Sequence, residues 1–337
     1  MREPPELAED TIVGALRASF GIRVASLGFL AVGDDSDSWA YHARAAQGPS
    51  YFLKVRAGAD PVKGAVVPGH LHRRGVPHVL APLATSAGAP YVLVDRFALA
   101  VYPMLDGRTG AEVGLSPLQW RQLGDTLRQI HAVPPTPELT RLVGREAFRP
   151  TRRELVADLE ALLATPAPHD PVAEELAKLW RARQDVIHAL VERADALGRE
   201  LAGSSFPQVL CHADLHTWNL LVDADQQLWI VDWDEAILAP KERDLMFVVG
   251  GIGHDLVRPD DTECFFQGYG QAEVDPRLLA YYRAAWAVQD IAAYGEQAVM
   301  LPTLGEQTRR AAVDGFTDLF APGNIVDRAR GSQTGQA

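Results

Sequence analysis

Cysteine is scarce: the 337 residues hold two, Cys211 and Cys264. Two thiols build neither a disulfide scaffold nor a four-thiolate zinc site, so nothing requires an oxidising compartment, and both are read as reduced and buried. Long apolar runs are missing as well. Nowhere do about 18 apolar residues follow one another, as a membrane span needs, and the opening stretch MREPPELAEDTIVGALRASF is acidic without an unbroken hydrophobic core. A cytoplasmic protein with no membrane partner is expected. Positive charge is in deficit too, with 32 Lys and Arg against 44 Asp and Glu for a net charge of −12. That balance argues against nucleic acid, whose affinity rests on clustered basic side chains. It favours cationic ligands and equally serves solubility. Repeats and low-complexity linkers are absent, which excludes arrays and solenoids. What is left is an ordinary globular composition, 47% hydrophobic and 23% charged, with chain enough for about two lobes.

From about residue 22 to 104 the pattern is strand-like. IRVASLGFLAV, SWAYHARA, SYFLKVRA, HVLAPLAT and PYVLVDRFALAVYPML are short apolar runs separated by turn-formers such as Gly33-Asp34-Asp35 and Gln47-Gly48-Pro49. A mostly antiparallel sheet is expected, preceded by an amphipathic helix over 9–20. A weak helical stretch over 61–74 is spoiled by Pro68 and Gly69. Beyond Asp106-Gly107 the period becomes helical: Ser116-Pro117 opens a helix carrying Trp120, Leu123, Leu127 and Ile130. Further helices are expected over 151–164, from Asp170-Pro171 onward, and over 242–320, with short strands between 207 and 235. The fold class is therefore α+β and bilobal: a small β-rich lobe over 1–105, a larger, mainly helical lobe over 106–325, and a disordered tail over 326–337. The lobes join through a short crossing segment near 101–107, and a ligand is expected in the cleft between them.

The densest polar set within apolar sequence is VLCHADLHTWNLLV followed by QLWIVDWDEAILAPKERDLMF. Asp214 and Asn219 lie in the first loop, and Asp232, Asp234 and Glu235 follow the next strand. Converging carboxylates repel one another unless a divalent cation or a cationic substrate neutralises them. The pattern Asp-x4-Asn-x12-Asp suits in-line phosphoryl transfer, which needs one carboxylate to orient a hydroxyl and an amide and a carboxylate to hold magnesium. Lys54 is one of only four lysines and sits in an apolar strand, where an ionised amine calls for an anion.

The HxDxxxxN loop with the following D-x-D resembles the catalytic segment of the aminoglycoside phosphotransferase family, within the protein-kinase-like superfamily. WIVDWDEAILAPKERDLMFVVGGIG, FFQGYG (265–270), YYR (281–283) and DIAAYG (290–295) fit the same family, and the similarity runs from about 10 to 325. The resemblance implies a protein-kinase-like bilobal fold and an ATP- and Mg2+-dependent transfer to a hydroxyl of an aminoglycoside or aminocyclitol antibiotic, spectinomycin foremost. GTP in place of ATP stays open. Asp214 would direct the substrate hydroxyl proton, Asn219 and Asp232 would hold magnesium, and Lys54 would meet the α- and β-phosphates. Ser36 or Ser38 and nearby backbone amides would cradle phosphate, although the turn lacks G-x-G-x-x-G. Backbone groups near Tyr102 to Met104 would hold adenine. Asp244 would steady the catalytic loop and His212 would brace backbone carbonyls. Asp234, Glu235, Tyr269, Trp286 and Asp290 would meet a small cationic or polyhydroxy acceptor. One departure stands out: protein kinases pair the strand lysine with a helix glutamate, yet no Glu occurs between Lys54 and Glu112.

Other readings stay open at this point. One is a kinase of a cellular metabolite such as choline, a hydroxylated amino acid or a sugar amine. Another is a metal-dependent hydrolase using His212, Asp214, His216 and Asp232. A third is a nucleotide-binding module without catalysis. The glycines Gly250, Gly251 and Gly253 are read as close helix packing, because no strand-turn-helix unit surrounds them. A monomer or weak homodimer is expected.

Overall fold

Short apolar strands build the first layer. In a computed structural model describing residues 4–31, 37–58, 62–165, 169–253, 256–301 and 304–331, α1 (Glu9–Phe20) leads into β1 (Val24–Leu30), β2 (Ser38–Ala45) and β3 (Ser50–Ala57). After α2 (Lys63–Arg73) come β4 (Val92–Val94) and β5 (Phe97–Pro103), and the five strands form one antiparallel sheet in the order β1-β2-β3-β5-β4. The register sets Lys54 opposite Ala40 on one side and Ala100 on the other. Directly paired residues share a face. The small alanines therefore leave that face open around the lysine.

Two sequence expectations fail here. HVLAPLAT is not a strand: Val79 makes a single parallel bridge to Ile230, and residues 80–85 run without sheet pairing. Pro82 has no N–H to give a ladder. Conversely, α2 forms in spite of Pro68, which lacks the N–H that would bond the carbonyl of Gly64. The Tyr102 hydroxyl donates to that carbonyl at 2.8 Å, so the broken rung is repaired from the sheet.

The remainder is mainly helical. Short β6 (Gly107–Thr109) and α3 (Gly110–Val113) lead to α4 (Pro117–His131), whose start is fixed by a capping box between Ser116 and Gln119. There follow α5 (Pro137–Val143), α6 (Arg153–Ala164) and the 32-residue α7 (Pro171–Ala202), capped by Asp170. Next come β7 (Val209–Cys211), β8 (Leu220–Asp223), β9 (Leu228–Ile230) and β10 (Ile237–Ala239), then α8 (Glu242–Leu245), α9 (Pro259–Tyr269), α10 (Pro276–Val299), α11 (Glu306–Asp318) and α12 (Ile325–Ala329). β7 pairs with β10, and β8 lies between β6 and β9. These two ribbons frame the loop that carries Asp214.

Helix contacts are close where glycine permits. A Cβ on Gly124 of α4 would stand 2.1 Å from the Phe265 carbonyl of α9, and one on Gly268 of α9 would stand 2.0 Å from that of Arg121. The two helices thus touch backbone to backbone. The tail also differs from expectation, since Ile325, Val326 and Ala329 of α12 are buried apolar residues that hold 325–329 against the core. Residues 332–337 lie outside the described residues. Gly250 and Gly251 adopt left-handed backbone, with the Arg283 and Arg328 guanidinium groups against Gly250. They turn the chain, and Gly250 lies against side chains of α10 and α12. Both cysteines are free thiols, Cys211 buried and Cys264 half-buried. Among the described residues no helix is long and apolar enough to cross a membrane.

Candidate active site

The loop after β7 is built on a buried acid. Asp244, fully buried in α8, accepts the backbone N–H of His212 at 3.0 Å and of Ala213 at 2.7 Å. Ala213 stands at φ 69°, left-handed for a residue with a Cβ. An ionised carboxylate only accepts, so the His131 ring donates Nε2–H to Asp244 at 3.1 Å, while Tyr269 lies 2.7 Å from His131 Nδ1. Burial opposes the Asp244 charge, but His131 and the loop amides outweigh it and hold the carboxyl below the usual range. Tyr269, placed by sequence on the acceptor wall, is therefore interior and stands behind the loop.

His212 ties that loop to the strand end. Its Nδ1 accepts the Asp214 N–H at 3.2 Å, and its Nε2 donates to the Val231 carbonyl at 2.9 Å. One neutral tautomer satisfies both bonds, leaving no ring nitrogen for a metal. This removes the hydrolase reading, which needed His212 as a ligand. Among the described residues one group of three His, Cys, Asp or Glu side chains stands close enough to share an ion, His131, Cys211 and Asp244. Its atoms already bond Tyr269, the loop amides and the carbonyls of Ala239 and Pro240, and burial keeps the Cys211 thiol protonated.

Asp214, Asn219 and Asp232 come together. Asn219 Nδ2 donates to the Asp214 carboxylate at 2.9 Å and to its backbone carbonyl at 2.8 Å. Val231 N–H donates to the Asn219 carbonyl at 3.0 Å, which sets Asp232 beside the asparagine. The other Asp214 oxygen lies 3.1 Å from His216 Nε2. Burial pushes the Asp214 carboxyl up, but the His216 hydrogen bond and charge more than reverse this and hold it low. His216 shows the converse: burial lowers it, and Asp214, with Asp290 and Asp232, lifts it above the ordinary imidazole value. His216 Nδ1 is buried and has no hydrogen-bond partner among the described residues.

Lys54 reaches across from β3. Its Nζ lies 2.9 Å from Asp232 Oδ1 and 2.8 Å from Asp234 Oδ2, and Arg56 Nη1 lies 2.8 Å from the same Asp234 oxygen. Burial works against the ammonium, yet the two carboxylates raise its pKa. Asp234, placed by sequence with the acceptor, instead faces two cations of the sheet. Sequence reasoning missed Arg56, although period two puts residues 54 and 56 on one face of a strand.

Other expected residues scatter more widely. Ser36 lies outside the described residues, and Ser38 is a buried residue at the start of β2, opposite Arg56. The Tyr102 side chain is buried on α2, and Met104 gives its N–H to the Ser50 carbonyl at 3.2 Å. That donor is not left for adenine. Glu235 is exposed. Trp286 is buried, with its ring edge on Phe247 at 5.0 Å and the Arg243 guanidinium 5.2 Å from its centroid. One turn further along α10, half-buried Asp290 is coupled to Asp214 and His216, and its carboxyl is lifted to about 7, by burial first and then by Asp214. A separate cleft of about 800 Å³ opens beside the loop at Thr217, walled by Asp106, Arg108, Trp120 and Arg258.

Comparison with known proteins places this geometry. The phosphotransferase enzyme family matches residues 31–296. The structure of spectinomycin phosphotransferase APH(9)-Ia in complex with ADP and spectinomycin is 30% identical, with a TM-score of 0.86 over 97% of this chain and 98% of that one. Its AMP-bound complex gives 29% identity and a TM-score of 0.82 over 96% and 98%. An amicoumacin kinase in complex with AMP-PNP, Ca2+ and Ami shares the fold at 18% identity and a TM-score of 0.62, over 96% and 94%. With its sheet-borne lysine facing an Asp, Asn and Asp cluster across a bilobal, protein-kinase-like fold, the chain belongs to the aminoglycoside phosphotransferase family of enzymes.

Proposed function

We propose that the protein transfers the γ-phosphoryl group of ATP, with magnesium, to a hydroxyl of an aminocyclitol antibiotic, with spectinomycin as the first acceptor to test. The observation that carries this reading is the 2.9 Å hydrogen bond from Asn219 to Asp214. It couples a carboxylate suited to directing a hydroxyl to an amide whose own oxygen keeps no hydrogen-bond donor among the described residues. The acceptor is supported by the likeness to a 30% identical enzyme whose structure holds spectinomycin.

Asp214, ionised at neutral pH, would accept the acceptor's hydroxyl hydrogen and align the oxygen with the γ-phosphorus. It acts mainly by orientation, because its carboxyl is held low. Asn219 through Oδ1 and Asp232 through its exposed carboxylate would hold magnesium, and both are hard oxygen donors of the kind it takes. Bound there, the ion supplies charge neutralisation on the phosphates. Lys54 would leave Asp232 for the α- and β-phosphates. Backbone of the segment after β5 would meet the base, and Asp290 and Glu235 would meet acceptor amines.

Incubation with labelled ATP, magnesium and spectinomycin should yield phosphorylated antibiotic, and mapping the modified oxygen identifies the hydroxyl. Turnover with choline or a sugar amine alone would move the protein among metabolite kinases. Nucleotide binding without transfer to any acceptor would overturn the reading.

A further inference from the structure

Resting on the phosphotransfer reading, we infer that Asp234 is the positioning residue of Lys54, and that Gly64 is the gap in α2 that admits it. Protein kinases orient the strand lysine with a glutamate on the neighbouring helix. Here α2 has no acid in its first turn, and the anchor comes from the opposite wall of the cleft. Asp234 Oδ2 lies 2.8 Å from Lys54 Nζ, and its side chain is 16% exposed.

The steric observation is independent of the ion pair. A Cβ on Gly64 would stand 2.0 Å from Asp234 Oδ1 and 3.0 Å from its Cγ. No side chain other than hydrogen fits at 64 while the carboxylate holds its place. The Tyr102 bond to the Gly64 carbonyl at 2.8 Å fixes the helix at that closeness. What α2 contributes to the lysine is thus an absence of side chain, filled by a carboxylate from the strand end.

Arg56 explains why one aspartate suffices. Lys54 touches two carboxylates, and Asp232 is the one that metal binding would take away. Asp234 also holds Arg56, at 2.8 Å, a second cation that does not depend on Lys54. A carboxylate so pinned stays fixed when Lys54 turns to the phosphates, and it is never left as a lone buried charge.

The test compares wild type with Asp234→Asn, Lys54→Met and the double variant, in AMP-PNP titrations with magnesium and in steady-state assays. Asp234→Asn should weaken AMP-PNP and raise the KM for ATP by roughly tenfold, the worth of one charge-assisted hydrogen bond. The acceptor KM should not move, and the double variant should be no worse than Lys54→Met. Additive losses, an unchanged AMP-PNP affinity, or a change in acceptor KM alone would each overturn the inference. Gly64→Ala leaves every charge in place and covers the case in which Asp234→Asn fails to fold. It should weaken AMP-PNP and raise the KM for ATP while leaving the acceptor KM unmoved, and an unchanged AMP-PNP affinity would count against the proposal. Wild-type protein that binds no AMP-PNP overturns both readings. Binding without transfer to any acceptor strikes the functional reading alone.

Discussion

The carboxylate of Asp244 accepts the N–H of Ala213 at 2.7 Å, and the residue it grips is held at φ 69°. Left-handed backbone costs an alanine about 1–2 kcal/mol. A buried carboxylate with two loop amides and His131 as donors offsets that cost and sets the loop's direction. Asp244→Asn turns one acceptor into a donor facing these N–H groups. The variant should lose about 3–5 kcal/mol of stability, as when one member of a buried charged network is removed. A urea midpoint within error of wild type would show that the loop does not depend on this acid.

Asp214→Asn keeps the shape of the side chain and removes its charge. Turnover should fall by about 10²–10⁴-fold, the range for loss of a positioned base, while AMP-PNP affinity and melting temperature stay near wild type. The contacts of Asp214 are with Asn219, His212 and His216, all within one loop, so the fold has little to lose. Near-normal phosphorylation of an authentic acceptor by this variant would remove Asp214 from the role of base.

The sequence made the core of this site legible because each piece is local. Asp214 and Asn219 belong to one turn, and Asp232 ends the next ribbon. The strand lysine stood out through the rarity of lysine itself. What could not be read were pairings across the cleft. Asp234 is the second acid of the D-x-D motif, and nothing in its local sequence shows that it meets Lys54 beside Gly64 of α2. Tyr269 failed for the opposite reason, since an aromatic at helical spacing gives no sign that its hydroxyl ends on His131 behind the loop. HVLAPLAT has strand-like composition, but with Pro82 inside it the segment gives β5 a single hydrogen bond, from Leu83 N–H to the Val101 carbonyl at 2.7 Å.

Asp290 makes stability depend on pH. Burial and the nearby Asp214 raise its carboxyl to about 7, whereas an unfolded aspartate titrates near 3.9, so the folded state binds the extra proton between about 4 and 7. The resulting stability is complete below the unfolded value and is lost as pH rises through 7. Asp290→Asn carries no such loss. It should exceed wild type in stability at pH 8 by on the order of 2 kcal/mol, since the group is only half-buried, and the gap should close near pH 4. Thermal melts from pH 4 to 9 decide this, and parallel pH curves for the two proteins would show that Asp290 titrates normally.

Tyr102 and Pro68 form a testable pair because both act on the Gly64 carbonyl. Pro68 withholds the N–H that the Gly64 carbonyl would receive within α2, and the Tyr102 hydroxyl fills that place at 2.8 Å. Removing the hydroxyl leaves a carbonyl without its donor in a buried setting, which costs about 1–3 kcal/mol. Tyr102→Phe alone should destabilise by that amount. Pro68→Ala restores a helix N–H four residues beyond Gly64, so Tyr102→Phe in that background should cost less than half as much. The two losses are therefore non-additive, and the coupling has the sign of a shared acceptor. Urea unfolding of the four proteins of this cycle measures it. If Tyr102→Phe costs the same with and without Pro68, the hydroxyl is not replacing the missing rung, and α2 must owe its place beside Asp234 to packing alone.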